Sequence, residues 1–467
     1  MADLPLSVGM GRYIFHVDVN SAYLSWSAAY RVRVLGEKED LRLIPSIVGG
    51  DQEKRHGIVL AKSIPAKKYG IRTGEAVVTA KKKCPGLAVI EPDYRLYVKA
   101  SRAFMAKLRQ YTDQVIQYSI DEAWAVFDGY EKLYGQGQMV SFAHGLREEI
   151  REELGFTVNI GVSTNFLLAK MAGEFSKPDQ VHTLFPEEIE KKMWHLPVSD
   201  LFFVGKATAA KLHHLGIMTI GELALADEEM IRAHCKKPGQ IVQGYARGED
   251  LQPRMFMQEE EVPGGMPEDG FCNTGDIRTG VFAAPASRRN KGYGNSLTAP
   301  VDVVTKAYAE HLLLSLCETI GMRLRADGVK VSVVSVHMTT CEFQHFSRQM
   351  QLLTATDVTE EIYKAACRVF GMLWDNVTPI RQIGVHTSKV ERGAGRQYNL
   401  FDMQRFDRLK VLDQTVDRIR GKYGEDAVFR AAFLKSNVSH MGGGLDRERR
   451  SGVTLGIDPE REKAGDL

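Results

Sequence analysis

The chain has 467 residues, 44% of them hydrophobic and 26% charged, and a formal net charge of +2. That length suggests two to four compact units of about 100–200 residues, and the composition is that of soluble folded domains and excludes wholesale disorder. No apolar run approaches the ~20 residues needed to cross a bilayer, and the opening Met1-Ala2-Asp3-Leu4-Pro5 lacks the pattern of a secretory leader, so a cytoplasmic protein is expected.

In chain order, Tyr13-Ile14-Phe15-His16-Val17-Asp18-Val19 reads as a buried strand that ends at an acid. Asn20 to Tyr30 predicts a helix with Ala22, Trp26 and Ala29 along one side. A basic, glycine-punctuated stretch follows, with 13 Lys/Arg against six acids between Arg31 and Lys83. Residues 96–111 predict an amphipathic helix (Tyr97, Phe104, Leu108, Tyr111), Val115 to Glu122 a strand, 138–154 a helix and Thr157 to Val162 a strand. This alternation predicts a layered α/β or α+β domain. After Pro186 short helices dominate to about residue 250, and 251–270, rich in Pro, Gly and Glu, read as a linker. Residues 271–390 predict a second mixed unit, with a helix at about 301–326, a strand from Val329 to Met338 and a helix through 355–374. Beyond Lys389 come a loop and a helix carrying Leu409, Leu412, Val416, Ile419 and Tyr423 at 3–4 spacing. The last ~25 residues have the composition of a disordered tail. Six scattered cysteines without a Cys-x-x-Cys pair argue against a disulfide framework and against zinc.

Two strands end in acids: Asp18, and the pair Asp121-Glu122. A carboxylate there costs desolvation unless a cation or hydrogen-bond donors face it. Alone, either acid is an ordinary helix cap or turn residue. Together, on neighbouring strands, they would make an all-oxygen site suited to Mg²⁺ and substrate phosphates. The basic stretch near residues 31–83 and a second cluster, Arg288-Arg289-Asn290-Lys291, point to phosphate contact, against the plainer reading of solvated faces.

His16-Val17-Asp18-Val19-Asn20-Ser21-Ala22-Tyr23, Tyr118-Ser119-Ile120-Asp121-Glu122, and Gly161-Val162-Ser163 through Lys170 to Phe175-Ser176-Lys177-Pro178 occur in that order, and this joint pattern resembles the Y-family translesion DNA polymerases. The resemblance is to UmuC/DinB-like members of Gram-positive bacteria and covers roughly residues 12–435. It implies an α+β multidomain right-hand polymerase: palm (1–21 and 83–184), small fingers (22–82), helical thumb with a helix-hairpin-helix (185–250), linker (251–270), little finger (271–390) and a C-terminal clamp-binding segment, helix and tail (391–467).

By the same resemblance, Asp18, Asp121 and Glu122, with the backbone carbonyl of Val19, hold two Mg²⁺ ions for nucleotidyl transfer from a dNTP to a primer 3′-hydroxyl on primer–template DNA. Tyr23 falls on the steric gate against ribose; without the resemblance it reads as a core aromatic. Lys177 and Lys67 fall on triphosphate contacts. The family's Ser-Tyr-Glu-Ala-Arg appears here as Ser63-Ile64-Pro65-Ala66-Lys67, so Lys67 keeps the charge without the guanidinium fork, and Ile64 donates no hydrogen bond. Gly205 and Lys206 sit in the hairpin turn that meets DNA phosphates, and Arg288, Arg289 and Lys291 lie where relatives carry a basic strand along the template. Gln397, Leu400 and Phe401 resemble the peptide by which polymerases hold the sliding clamp, or else staple the helix that follows. A monomer, and no membrane partner, are expected. The rival reading is a catalytically silent, clamp-tethered DNA-binding relative, for which Ile64 and Lys67 speak and the intact acidic trio does not.

Overall fold

The computed structural model describes residues 11–50, 57–129, 136–250, 290–392, 403–434 and 438–442. The chain divides between Ala286 and Ser287 into two compact units. Among the described residues no helix is long and apolar enough to cross a membrane.

The first unit is built on a five-stranded sheet of order β5-β6-β1-β7-β8, with β1 (Arg12–Val19) at its centre between β6 (Glu122–Asp128) and β7 (Val158–Ser163), both antiparallel to it. Strands β5 (Val115–Gln117) and β8 (Val181–Thr183) form the edges. A central strand is covered on both faces, which is why β1 is buried from Tyr13 to Val17 without alternation and carries an unbroken apolar run, Tyr13-Ile14-Phe15. Tyr13, Phe15, Val17 and Val19 face one core together with helix α1 (Ala22–Arg33) and helix α4 (Tyr94–Arg109). Ile14 faces the other core with the helix Phe166–Glu174 and the short helices between Ile189 and Ala246. The helix predicted from residue 96 starts at Tyr94 because the Asp93 carboxylate accepts from the backbone N–H groups of Arg95 and Leu96, both at 3.1 Å.

The strand predicted as continuous from Val115 to Glu122 is broken instead. The Ser119 hydroxyl accepts from the N–H groups of Asp121 (3.3 Å) and Glu122 (3.1 Å), folding Tyr118–Asp121 into a turn. That turn is what sets the acidic pair at the mouth of the sheet. A separate three-stranded sheet, β3-β2-β4, is made by Ser46–Gly49 (β2), Val59–Lys62 (β3) and Ala88–Ile90 (β4).

The second unit is a four-stranded antiparallel sheet made by β9 (Gly292–Val303), β10 (Val329–Thr340), β11 (His345–Thr356) and β12 (Ile380–Arg392) in the order β11-β10-β12-β9, with helices Lys306–Ala326 and Thr359–Gly371 packed on one face. The helix expected from 301 begins at Lys306, capped by the Thr305 hydroxyl at the Tyr308 N–H (3.3 Å), while β9 (Gly292–Val303) takes the preceding residues.

The helix read from the sequence beyond residue 389 is present as Met403–Tyr423, with Leu409, Val416 and Ile419 partly covered. Leu412 is 50% and Tyr423 68% exposed, while Phe406, Asp413 and Arg420, seven residues apart, are the buried ones. The helix docks through charge: Arg325 reaches Asp417 (2.5 Å) and Asp413 (3.2 Å), and Glu318 receives Arg420 (2.8 Å) and Arg430 (2.5 Å). Removing Glu318 leaves the buried Arg420 guanidinium without its carboxylate, so Glu318→Ala is expected to lower the stability of this unit by about 3–5 kcal/mol. Urea unfolding followed by circular dichroism measures it.

Candidate active site

Asp18 and Glu122 are direct cross-strand partners in the β1–β6 register, and the Val19 N–H donates to the Asp121 carbonyl at 3.0 Å, tying the acidic turn to the end of β1. Three carboxylates separated by about a hundred residues thus stand at one end of the sheet. They do not point the same way. Asp18 and Asp121 line a cleft of about 670 Å³ shared with Val19, Tyr23, Lys67 and Lys177. The Glu122 carboxylate is turned inward, where Lys170 donates to it at 2.6 Å and His16 lies 3.1 Å away.

This inner trio is dry. Burial holds His16 neutral, its pKa lowered to about 4 in spite of the Glu122 carboxylate beside it. Burial alone would push Glu122 up, yet the His16 hydrogen bond and the Lys170 charge hold it at about 2. Lys170 is itself framed by the rings of Tyr118 and Phe202, with its ammonium 5.2 and 5.1 Å from their centroids. Glu122 is therefore kept ionised and oriented from behind.

At the cleft, Lys177 donates to Asp18 (2.6 Å) and to Glu174 (2.9 Å). Burial raises the Asp18 carboxyl to about 6 even so, and Lys177 is raised because those two carboxylates outweigh its own burial. The Ser119 hydroxyl donates to Asp121 at 2.5 Å. Among the described residues no three His, Cys, Asp or Glu side chains form a ready-made metal cage. The donor chemistry nonetheless fits a hard cation: two carboxylates open to one cleft, a third adjoining them, and no nitrogen or sulfur ligand among them.

Tyr23 packs partly into the core and also faces the cleft. Its ring stacks on Tyr97 (4.6 Å between centroids, 15° apart). Its phenol is raised by burial and then by the nearby Asp121 charge. Ser63 caps the short helix Ile64–Lys68, which carries Lys67 to the cleft and leaves Ile64 exposed.

Sequence reading missed Lys62 and Thr73, which line the same cleft and are joined by a 3.1 Å hydrogen bond. The Lys62 ammonium is lowered by burial and by the charge of Lys67. The two-residue alternation of β3, which sends Leu60 and Lys62 to one side, was a signal for it. His16 was detectable likewise, two residues before Asp18 on the same face. Lys170 carried no local signal.

Gly205 precedes the helix Lys206–His214 with an ordinary φ of −79°, and a Cβ there would meet nothing within 4 Å. Neither conformation nor packing within the described residues demands glycine at that exposed turn. Lys291 is exposed just before β9, in the second unit. Arg288, Arg289, Gln397, Leu400 and Phe401 lie outside the described residues.

Comparison with known proteins bears on the whole chain. Residues 17–174 match the impB/mucB/samB family, 186–217 the IMS family HHH motif, and 290–400 the impB/mucB/samB family C-terminal domain. The chain is 40% identical over 426 residues to a DNA polymerase IV of Clostridium acetobutylicum, covering 91% of this chain and 99% of that one. It is 35% identical to a DNA polymerase IV of Acetivibrio thermocellus (91% and 98% covered) and 31% identical to DNA polymerase IV 2 of Bacillus subtilis (91% and 95%). A solved Y-family DNA polymerase chimera shares the fold, with a TM-score of 0.62 at 18% identity, covering 82% of this chain and all of that one. With both its catalytic-end blocks and its C-terminal domain matched, the chain belongs to the impB/mucB/samB family, the UmuC/DinB-like Y-family of translesion DNA polymerases.

Proposed function

We infer that this divalent-metal-dependent translesion DNA polymerase works by two-metal-ion nucleotidyl transfer, with Asp18, Asp121, Glu122 and the Val19 carbonyl holding two Mg²⁺ ions. The observation that carries this is that Asp18 and Asp121 line one cleft with Tyr23, Lys67 and Lys177, while Glu122 is paired to Asp18 across the strands beside them. When bound, the ions would lower the pKa of the attacking hydroxyl and stabilise the leaving oxygen. The primer 3′-hydroxyl attacks the α-phosphate and pyrophosphate leaves.

The chain's own part is positioning and charge. Lys170 and His16 keep Glu122 ionised and aimed. Lys67 and Lys177 take up triphosphate charge, with Lys62 as a further cation in the same cleft. Tyr23, braced by Tyr97, closes the space a 2′-hydroxyl needs. Removing that ring in Tyr23→Ala is expected to improve ribonucleotide use relative to deoxyribonucleotide use by about 10- to 200-fold, the range for excluding one small group. The ratio of kcat/KM values in single-nucleotide insertion checks it.

We assign the five-stranded sheet to the palm (1–21 and 91–184, its second boundary moved from 83) and the small basic sheet to the fingers. The fingers are extended from 22–82 to Ile90 because β4 pairs with β2. Residues 185–250 make the thumb, whose Gly205 and Lys206 meet the phosphate backbone without reading sequence. Residues 271–390, with Arg288, Arg289 and Lys291, make the little finger beyond a 251–270 linker. The enzyme acts as a cytoplasmic monomer, tethered to the sliding clamp through Gln397, Leu400 and Phe401. Deleting 397–401 should abolish stimulation by the clamp and spare distributive synthesis; equal loss of both would mean a structural role.

Primer extension with Mg²⁺ and dNTPs tests the reading as a whole, with Asp121→Ala combined with Glu122→Ala as the control. Extension by the unaltered chain and none by the control supports it, and no extension by either would leave a silent DNA-binding protein.

A further inference from the structure

Asn159 lies on β7 opposite Asp18 in register and is fully buried, and every hydrogen-bonding position of its side-chain amide is taken. Its NH₂ donates to the carbonyls of Gly173 (3.2 Å) and Ser176 (2.6 Å). Its oxygen accepts from the Asn20 amide (3.1 Å) and from the Gln180 N–H (3.4 Å). Asn20, also buried, accepts the Asp179 N–H on its own oxygen at 2.9 Å. Two neighbouring amides thus grip the main chain at 173, 176, 179 and 180. In the middle of that span is Lys177, whose ammonium stands 2.6 Å from Asp18.

The pattern of donors requires amides. The last carbonyls of the helix Phe166–Glu174 have no partner within the helix, and Asn159 donates to one of them, Gly173, and to the Ser176 carbonyl just beyond the helix. A carboxylate at 159 would set acceptor against acceptor, and a hydroxyl is too short to span both sides. Asn20 needs its NH₂ for Asn159 and its oxygen for Asp179, which a carboxylate cannot supply at once. Arg147 adds a further anchor on the Asp179 carbonyl at 2.8 Å, within the same stretch.

We propose that Asn159 and Asn20 form a buried amide clamp that positions Lys177 for the triphosphate of the incoming nucleotide. They act through Lys177 and touch no substrate themselves. The inference rests on the proposed role of Lys177 at the triphosphate.

The test is single-nucleotide insertion by the full chain with Mg²⁺, comparing Asn159→Thr, Asn20→Asp, Lys177→Met and both double variants with Lys177→Met. Asn159→Thr is expected to raise KM for dNTP about tenfold, and Asn20→Asp by less, for matched and mismatched nucleotides alike, with primer–template affinity unchanged. In the Lys177→Met background neither substitution should add to the loss, because residues acting through one another are not additive. The same fold-loss with and without Lys177 would overturn the clamp, as would a loss confined to primer–template affinity. A Lys177→Met enzyme with unaltered KM for dNTP would overturn the reading of Lys177, and the clamp with it. Should Asn159→Thr fail to fold, the cycle built on the isosteric Asn20→Asp distinguishes the same outcomes.

Discussion

Asp121→Asn should cost nucleotide insertion on the order of a thousandfold while the protein melts at its usual temperature and binds primer–template DNA as before. The expectation follows from what Asp121 touches. Its side chain borders the cleft and makes one hydrogen bond, from the Ser119 hydroxyl, which an amide oxygen accepts equally well. Only the negative charge is lost. Glu122→Gln should be equally inactive but also less stable, since Lys170 then stays buried between Tyr118 and Phe202 without its carboxylate. The contrast separates catalytic charge from structural charge in adjacent residues. Single-turnover insertion and thermal melting, measured on the same preparations, read both. An Asp121→Asn enzyme that extends primers at the normal rate would remove this carboxylate from the chemistry.

The second large effect lies in the backbone beneath the site. Gly161→Ala would place a Cβ 1.9 Å from the Ala169 carbonyl oxygen and 2.4 Å from the Gly173 nitrogen. Both are main-chain atoms of the helix laid across β7, so no side chain can rotate away and the helix itself must lift. Overpacking against a flexible neighbour costs about 1–3 kcal/mol, and against a rigid helix at least the upper figure. Activity should fall with stability, because that helix carries Lys170 and leads directly to Lys177. Gly145→Ala is the matched control: it sits in the helix Gln136–Glu149, with nothing within 4 Å of its Cβ, and should stabilise by about 0.5–1 kcal/mol. Urea midpoints of the two variants moving in opposite directions are the expected result.

Much of the candidate site was legible in the sequence because its parts are local signals. An apolar run that stops at Asp18, a second that stops at Asp121-Glu122, an aromatic five residues past the first acid, and lysines in short recognisable blocks can all be read in place. The broken strand before Glu122 was less legible, since it depends on one serine hydroxyl taking two backbone N–H groups that a ladder would otherwise use. The C-terminal helix was legible as an element, but the side it buries was not. Its leucines recur at helical spacing, yet Arg325 and Glu318 on another helix draw Asp413, Asp417 and Arg420 inward and turn Leu412 and Tyr423 to water. Spacing says which residues share a face. It does not say which face the rest of the protein will cover.

By itself, the amino-acid order determined the strand that carries Asp18, the principal helices of both units, and the family to which the chain belongs. Tertiary structure alone decided how the three acids differ: Asp18 against Lys177, 159 residues away; Glu122 held by Lys170 and His16, 48 and 106 residues away; Asp121 left open to the cleft. The reason is one of range. Backbone periodicity acts over two to four residues and is written in neighbours, whereas a buried charge is governed by whichever counter-charge the packed sheet and helices bring within about 3 Å of it.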